Sequence, residues 1–486
     1  MIDRRHFIIG AGTAVAAPFV LRASALAQTP RIRKDVMAMA PDDPFFTDYA
    51  EAVKAMHALP ESDQRNWRNQ ALIHLNHCPH SGAPPYPGIA MDFVHWHRNY
   101  ILFYEQICAT LIGKPDFALP YWNWQSGIGQ VPNPFYDLDD LNVVFWNDPS
   151  NAQSDNWGTA EVTTTGVRAL PEGSGVKQDP QRGGAFTDQN IDSILAQTVF
   201  ANFTRLLESS PHNNAHVIVG GFQGHMGDGM SPLDPIFWLH HCNVDRLAAQ
   251  WQAAGNVMPP LDLNFDGQFV GGDGQPVPAS SAAVVDIGNL GYAYETPSGL
   301  ITGPASAPVA MMSLFAAPAT GVQPLGSAQG AVRAAANQAT SVSVETRGLA
   351  EALFSRRSFR LFSTNAEPLI GAEPGRVIAT LTGVSVPLEA RALIVNVFVN
   401  LPEAGPETPY TDPHFAGTFS FFGMAGMSGH HSTLSYPVDI SGALLELAQL
   451  GRLTSDEITI QVVPLPTGEG APDVGFAFDG IELTRV

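Results

Sequence analysis

Apolar positions recur at helical spacing through the N-terminal half of the chain and alternate at strand spacing through its C-terminal third. Asp42 to about Leu75 reads as helical in two runs, FTDYAEAVKAMHAL and ESDQRNWRNQALIHLNH. Residues 79–90, PHSGAPPYPGIA, are a Pro/Gly loop. Met91 to Leu111 follows, with Phe, Tyr and Ile three and four residues apart, the stripe of an amphipathic helix. Leu119–Trp124 (LPYWNW) is an aromatic, non-helical packing segment. Residues 125–190 are rich in Gly, Pro, Asn and Asp and predict long surface loops, and a further helix covers roughly 189–208. From Leu207 to Trp251, His212 and His216 are four residues apart and share a helix face. Asp234 is placed to cap the next helix, with Pro235 in its first position.

Residues 298–340 change character, being dominated by Ala, Gly, Pro and Ser, and read as a linker. An apolar patch within them, Met311–Ala317, suits docking on a domain more than free solution. Beyond them RVIATLTGVSV, RALIVNVFVNLP, AGTFSFF, EITIQVVPL and VGFAFDGIELTRV alternate as an antiparallel sandwich does. One short helix, Gly442–Leu450, interrupts the strands. The expected fold class is therefore α+β and multidomain: a mainly α-helical core with long loops over 28–297, the linker, and a β-sandwich over 341–486. No internal repeat is present.

The length of 486 residues supports two domains. With 46 acidic against 25 basic residues the formal charge is −21, which argues against nucleic acid or an anionic membrane as partner. Three cysteines, Cys78, Cys108 and Cys242, make no disulfide framework, although one pair or one chemically active thiol is compatible with them. At the N-terminus, Asp3-Arg4-Arg5-His6-Phe7 is a twin-arginine pattern, followed by a weakly apolar run and by Ala25-Leu26-Ala27. A cleaved leader over 1–27 is expected, with passage through the twin-arginine machinery to the periplasm or beyond. The run is too short and too rich in Gly and Ala for a spanning helix, so no membrane partner is expected for the mature form.

The histidines change the picture most. Of 15, five lie between 74 and 97 and five between 212 and 241. A single such residue is more often structural than a ligand, but two clusters at helix-compatible spacing point to metal. Imidazole ligation suits copper, zinc, iron or nickel rather than magnesium or calcium. One ion fed by both clusters is open on spacing alone; six well-placed histidines suit two ions better.

HWHRNYILFYEQI, LPYWNW, PHNNAHVIVGG and DPIFWLHHCNVDRL resemble the copper-binding signatures of the tyrosinase and polyphenol oxidase family, over about residues 40–295. Gly291-Tyr292-Ala293-Tyr294 resembles the tyrosine motif that ends the family's catalytic domain. VNVFVNLPE, DPHFAGTFSFF and GFAFDGIEL are similar to the shielding domain of plant polyphenol oxidases. The resemblance implies a four-helix-bundle core holding two copper ions, with dioxygen as co-substrate and small phenols as substrates. It assigns His74, His80 and His97 to the first copper, and His212, His216 and His241 to the second, with His240 supporting them. Cys78 stands where the family's cysteine forms a thioether to a copper ligand. The connection from Cys78-Pro79-His80 to Trp96-His97-Arg98 is longer than usual, which leaves His77 and His95 as alternatives to His80. Glu208 and Asn213 match the pair that holds a proton-accepting water in phenol hydroxylation. Val217 is small and leaves the copper accessible, Met230 or Asp228 lines the entrance, and Asp245 and Arg246 form an ion pair beneath the site. Gly423–His431 is expected to cap the site, with 298–340 as the release region. Three activities are compatible: hydroxylation plus diphenol oxidation, catechol oxidation alone, or reversible oxygen carriage of the haemocyanin type. A structural zinc protein and a homo-oligomer are also compatible with the sequence.

Overall fold

The computed structural model describes residues 29–78, 91–147, 166–304, 323–349, 353, 376–423 and 434–486. The expected leader, His80 and residues 424–431 of the expected cap lie outside them. Helix α1 (Pro44–His57) starts where the Asp43 carboxylate accepts the Phe45 N–H, and α2 (Trp67–His77) where Asn66 accepts that of Arg68. Helix α3 (Phe93–Leu111) is buried along most of its length. Two short helices, α4 (Pro134–Asp137) and α5 (Val143–Asn147), interrupt the loops.

The helix expected over 189–208 is two helices, α6 (Asp188–Leu195) and α7 (Phe200–Leu207). The β-branched pair Thr198-Val199 separates them, with Val199 in extended backbone. Helices α8 (Asn213–Gly220) and α9 (Ile236–Ala253) complete the helical body. Helix α9 starts one residue later than expected: Pro235 flanks it, and the Asp234 carboxylate accepts the Ile236 N–H at 3.2 Å. Strand β1 (Arg31–Arg33) runs parallel to β2 (Tyr292–Thr296), which pairs with β3 (Gly299–Ile301). The first and last segments of the helical body are thereby held together, and β3 carries that body into the expected linker.

The C-terminal region is two antiparallel four-stranded sheets. One has the order β5 (Thr340–Glu345), β10 (Glu457–Pro466), β7 (Leu393–Val399), β8 (Phe415–Ser420). The other has the order β4 (Gln323–Ala334), β11 (Phe476–Arg485), β6 (Val377–Val384), β9 (Leu434–Asp439). Register follows the apolar alternation, with Val462 opposite Val397 and Ile481 opposite Leu381. Helix α10 (Ser441–Gln449) packs its Leu444 and Leu447 into the same core.

Strand β4 lies inside the expected linker and corrects it. It is a mostly exposed edge strand, paired among the described residues with β11 alone, so it needs few large apolar side chains. Gly326 within it allows the backbone of Glu345 to approach, where an added Cβ would meet the Glu345 oxygen at 2.2 Å. Strand β8 packs on residues 208–212 and on α8, and Ala392, Ile394 and Phe422 join the hydrophobic core of the helical body. Among the described residues no helix is long and apolar enough to cross a membrane.

Candidate metal centre

Four helices and one irregular turn deliver the histidines. Helix α2 carries His74 and α3 carries His97; α8 carries His216, and α9 carries His240 and His241. His212 ends a π-helical turn, Glu208–His212, between α7 and α8. Pro211 inside that turn has no N–H, so the normal helical ladder is broken there. The Asn213 N–H reaches back five residues to the Glu208 oxygen, widening the coil beside His212.

The side chains converge in two contiguous groups. The ligand atoms of His212, His216, His240 and His241 lie within 4.8 Å of one another, as do those of His74, Cys78 and His97. The rings of His97 and His241 stack across the two groups, 4.1 Å apart and 9° from parallel. Backbone carbonyls fix several tautomers: His74 Nδ1 donates to Gly229 O at 2.6 Å, His97 Nδ1 to Phe93 O at 2.8 Å and His216 Nδ1 to Met226 O at 2.9 Å. A carbonyl can only accept, so each Nδ1 holds the proton and each Nε2 presents a lone pair. His216 Nε2 and both nitrogens of His240 and His241 are buried and have no hydrogen-bond partner among the described residues. Buried nitrogens left so fit a metal ion better than they fit packing alone.

Burial also keeps these imidazoles neutral. It pushes His74 down to about 4, against the weaker opposing effect of its bond to Gly229 O. His212 is pushed down to about 3 by burial, although its contact with Asn213 opposes this. His216, His240 and His241 are driven well below the ordinary value by burial and by their neighbouring imidazoles. Neutral imidazole is the form that binds metal.

His95 is turned away, its Nε2 donating to Pro259 O at 2.6 Å, and His77 is exposed at the end of α2; neither joins a group. Cys78 places its sulfur 3.4 Å from His97 Nε2, and all three cysteines are free thiols. His240 sits in the second group rather than behind it, against the ring of Trp124.

Glu208 is buried beside the turn, and burial, then the nearby Asp92 carboxyl, pushes it well above the carboxylate range. Asn213 faces His212 Nδ1 through its Oδ1 at 2.8 Å and donates from Nδ2 to Ser420 O at 3.3 Å. Val217 and Met230 are wholly buried, and Met230 belongs to the core rather than to an exposed rim.

The expected Asp245–Arg246 pair is corrected. Consecutive helical residues diverge, and Asp245 pairs instead with Arg98 and Arg33 and accepts the hydroxyls of Tyr292 and Tyr294, each at 2.7 Å. Arg246 lies over the Tyr121 ring and donates to Asn243. Burial opposes ionisation of Asp245, and Arg98 and Arg33 overcome it, holding the carboxyl below its usual range. Arg33 also reaches Glu105 at 3.0 Å, which ties β1 to α3.

Sequence reasoning missed Phe422. Its ring lies flat on His216, 3.7 Å away and 8° from parallel, and 6.2 Å from that of His74. The only signal was the aromatic run Phe419–Phe422 just before the segment expected to cap the site.

The model of the common central domain of tyrosinase matches residues 51–254, and a domain of unknown function matches 322–475. The chloroplastic polyphenol oxidase of Spinacia oleracea is 28% identical over 302 residues, covering 54% of this chain and 47% of its own length. The chain thus spans about half the length of the curated relatives it matches first. A tyrosinase of Hahella sp. (strain CCB-MM4) is 26% identical over 456 residues, 86% of this chain and 92% of its own. Among solved structures, a recombinant latent aurone synthase (polyphenol oxidase) superposes with a TM-score of 0.60 at 20% identity, a likeness of fold covering 94% of this chain and 90% of that one. Both histidine groups lie within residues 51–254, the stretch that matches the common central domain of tyrosinase, a family that implies a pair of copper ions, and both groups can hold metal.

Proposed function

We propose that this chain is an exported dicopper phenol oxidase that hydroxylates monophenols and oxidises o-diphenols to o-quinones. One observation carries the reading: two groups of side chains able to hold metal, His74 with Cys78 and His97, and His212 with His216, His240 and His241, meet at the His97–His241 stack. His74, His80 and His97 hold the first copper, and His212, His216 and His241 the second, on four helices read as a bundle. Bound there, the copper pair supplies the binding and reduction of dioxygen. The protein supplies position and proton handling. Glu208, beside His212, is the group proposed to take the phenolic proton, as a carboxylate, through a water that Asn213 orients. Val217 leaves room beside His216 for a flat ring, and Met230 backs the segment whose Gly229 carbonyl holds His74.

The mature chain begins after Ala27, and the C-terminal sandwich covers the centre. Phe422, stacked on His216, occupies the position a substrate ring requires. Release through residues 305–322 admits substrate. Oxygen uptake by the copper-loaded chain, with a monophenol and an o-diphenol supplied separately before and after cleavage there, tests the reading. Uptake with both after cleavage is expected. Uptake with the diphenol alone removes the roles of Glu208 and Asn213, and none in either state refutes the enzyme.

A further inference from the structure

A cavity of about 230 Å³ lies at the seam between the helical body and the sandwich, apart from the histidines. One wall is the start of α6, with Gln189 and Asn190; the other is the sandwich, with Arg376 and Asp439 side by side and Phe415 and Leu445 as apolar surface. Arg376 Nη1 donates to Asp439 Oδ2 at 2.6 Å and, across the seam, to Ser193 O at 2.8 Å. Glycine stands at two positions where the domains approach closely. A Cβ on Gly442 would meet Gln189 Nε2 at 2.8 Å, and one on Gly184 would meet the Phe415 ring at 2.5 Å.

We infer that this cavity binds a zwitterionic aromatic α-amino acid, and that its occupant holds the sandwich against the helical body. The charge logic selects the ligand class. Arg376 and Asp439 are adjacent and mostly out of water, with side chains 26% and 8% exposed. An anion here is attracted by one and repelled by the other, as is a cation. A ligand whose carboxylate and ammonium sit on one carbon satisfies both and leaves no desolvated charge unmatched. Its ring then lies on Phe415 and Leu445, while Asn190 and Gln189 offer amides to the remaining polar atoms.

The coupling follows from where the walls come from. The site is complete only when the domains are docked, so a ligand stabilises the docked state by RT ln(1 + [L]/Kd). At ten times Kd this shifts the docking equilibrium about elevenfold. Strand β8 starts at Phe415 in this wall and leads to Phe422 over His216, so the same docking closes the metal centre. That last link rests on the shielding role proposed above; the binding site does not.

The test uses the full copper-loaded chain and L-phenylalanine, which has no phenol to oxidise, with 3-phenylpropionate and 2-phenylethylamine as singly charged analogues. Calorimetry is expected to show saturable one-site binding of L-phenylalanine, at least tenfold weaker binding of each analogue, and a raised unfolding midpoint. Arg376→Gln removes the cation and Gln189→Trp, on the exposed rim, fills the cavity; each should abolish the binding. No saturable binding, equal binding of the analogues, binding that survives both substitutions, or an unmoved midpoint overturns the inference. None of these readouts needs turnover. L-phenylalanine that binds as described yet leaves the oxygen uptake of the uncleaved chain unchanged would count against the shield alone.

Discussion

Replacing Phe422 by alanine isolates the contact between sandwich and metal centre. The ring is 1% exposed and packs on the helical body, on His216, His212 and His74. Phe421, its neighbour, points the other way into the sandwich's own core, against Tyr436 and Phe476. The burial of Phe422 is therefore lost whenever the sandwich lifts, and its energy belongs to docking rather than to folding of either part. Truncating a buried Phe to Ala costs about 3–5 kcal/mol. Even the lower figure shifts the docked-to-open ratio by more than about a hundredfold, at 1.4 kcal/mol per tenfold. The substitution also removes the ring that fills the substrate's place. Oxygen uptake with an o-diphenol by the intact chain, per bound copper, should rise by ten- to a hundredfold, and Phe422→Leu, which keeps an apolar plug, should stay near the unsubstituted rate. A Phe422→Ala chain that binds two copper ions, melts normally and still turns over at the unsubstituted rate refutes the shield.

Four further outcomes are expected. Glu208→Gln cannot take a proton and should slow monophenol hydroxylation by roughly 10²- to 10⁴-fold while diphenol oxidation changes little; equal losses would assign Glu208 a structural role. Arg168→Met strands the Asp234 carboxylate, paired with it at 2.7 Å with both side chains almost wholly buried, and should cost about 3–5 kcal/mol in denaturant titration. Copper content should fall with it, because Asp234 sets the start of the helix bearing His241. The third outcome concerns pH. His74 and His212 are pushed down to about 4 and about 3, so below pH 6.5 the unfolded chain binds protons that the folded one refuses. Stability is full above that pH and falls towards pH 4, by about 1 kcal/mol per buried imidazole between pH 6 and 5. The melting temperature of the metal-free chain should follow, and a flat profile would contradict the burial. Last, if Cys78 forms the family's thioether, the tryptic peptide Asn69–Arg98 from copper-loaded protein should lack two hydrogens and resist thiol alkylation; a full-mass, alkylatable peptide means a free thiol.

Most of the grouping of the candidate metal-holding histidines was legible because its chemistry is local. His212 and His216 are joined by one stretch of coil, and His240-His241 follows a proline and an acidic cap that announce a helix start, so spacing and cap alone suggested ligands on separate helices. The strands were legible for the same reason: Val395, Val397 and Val399 alternate into the sandwich core with the register that β7 adopts. Strand β4 was not, since an exposed edge bears the same small and polar residues as a linker and differs only in having a partner far along the chain. The Asp245 network failed for the opposite reason. Arg246 is adjacent in sequence and pointed elsewhere, while Arg33 and Arg98 are remote and converge. Phe422 combines both difficulties. Phe421 and Phe422 leave the end of β8 on opposite sides of the chain, but which side meets the sandwich and which meets a second domain is decided by docking, a relation no period encodes. The same holds for His240. On a helix it points about 100° from His241, and it reaches the second group only because His212, on its π-turn, and His216 come up on its side of α9.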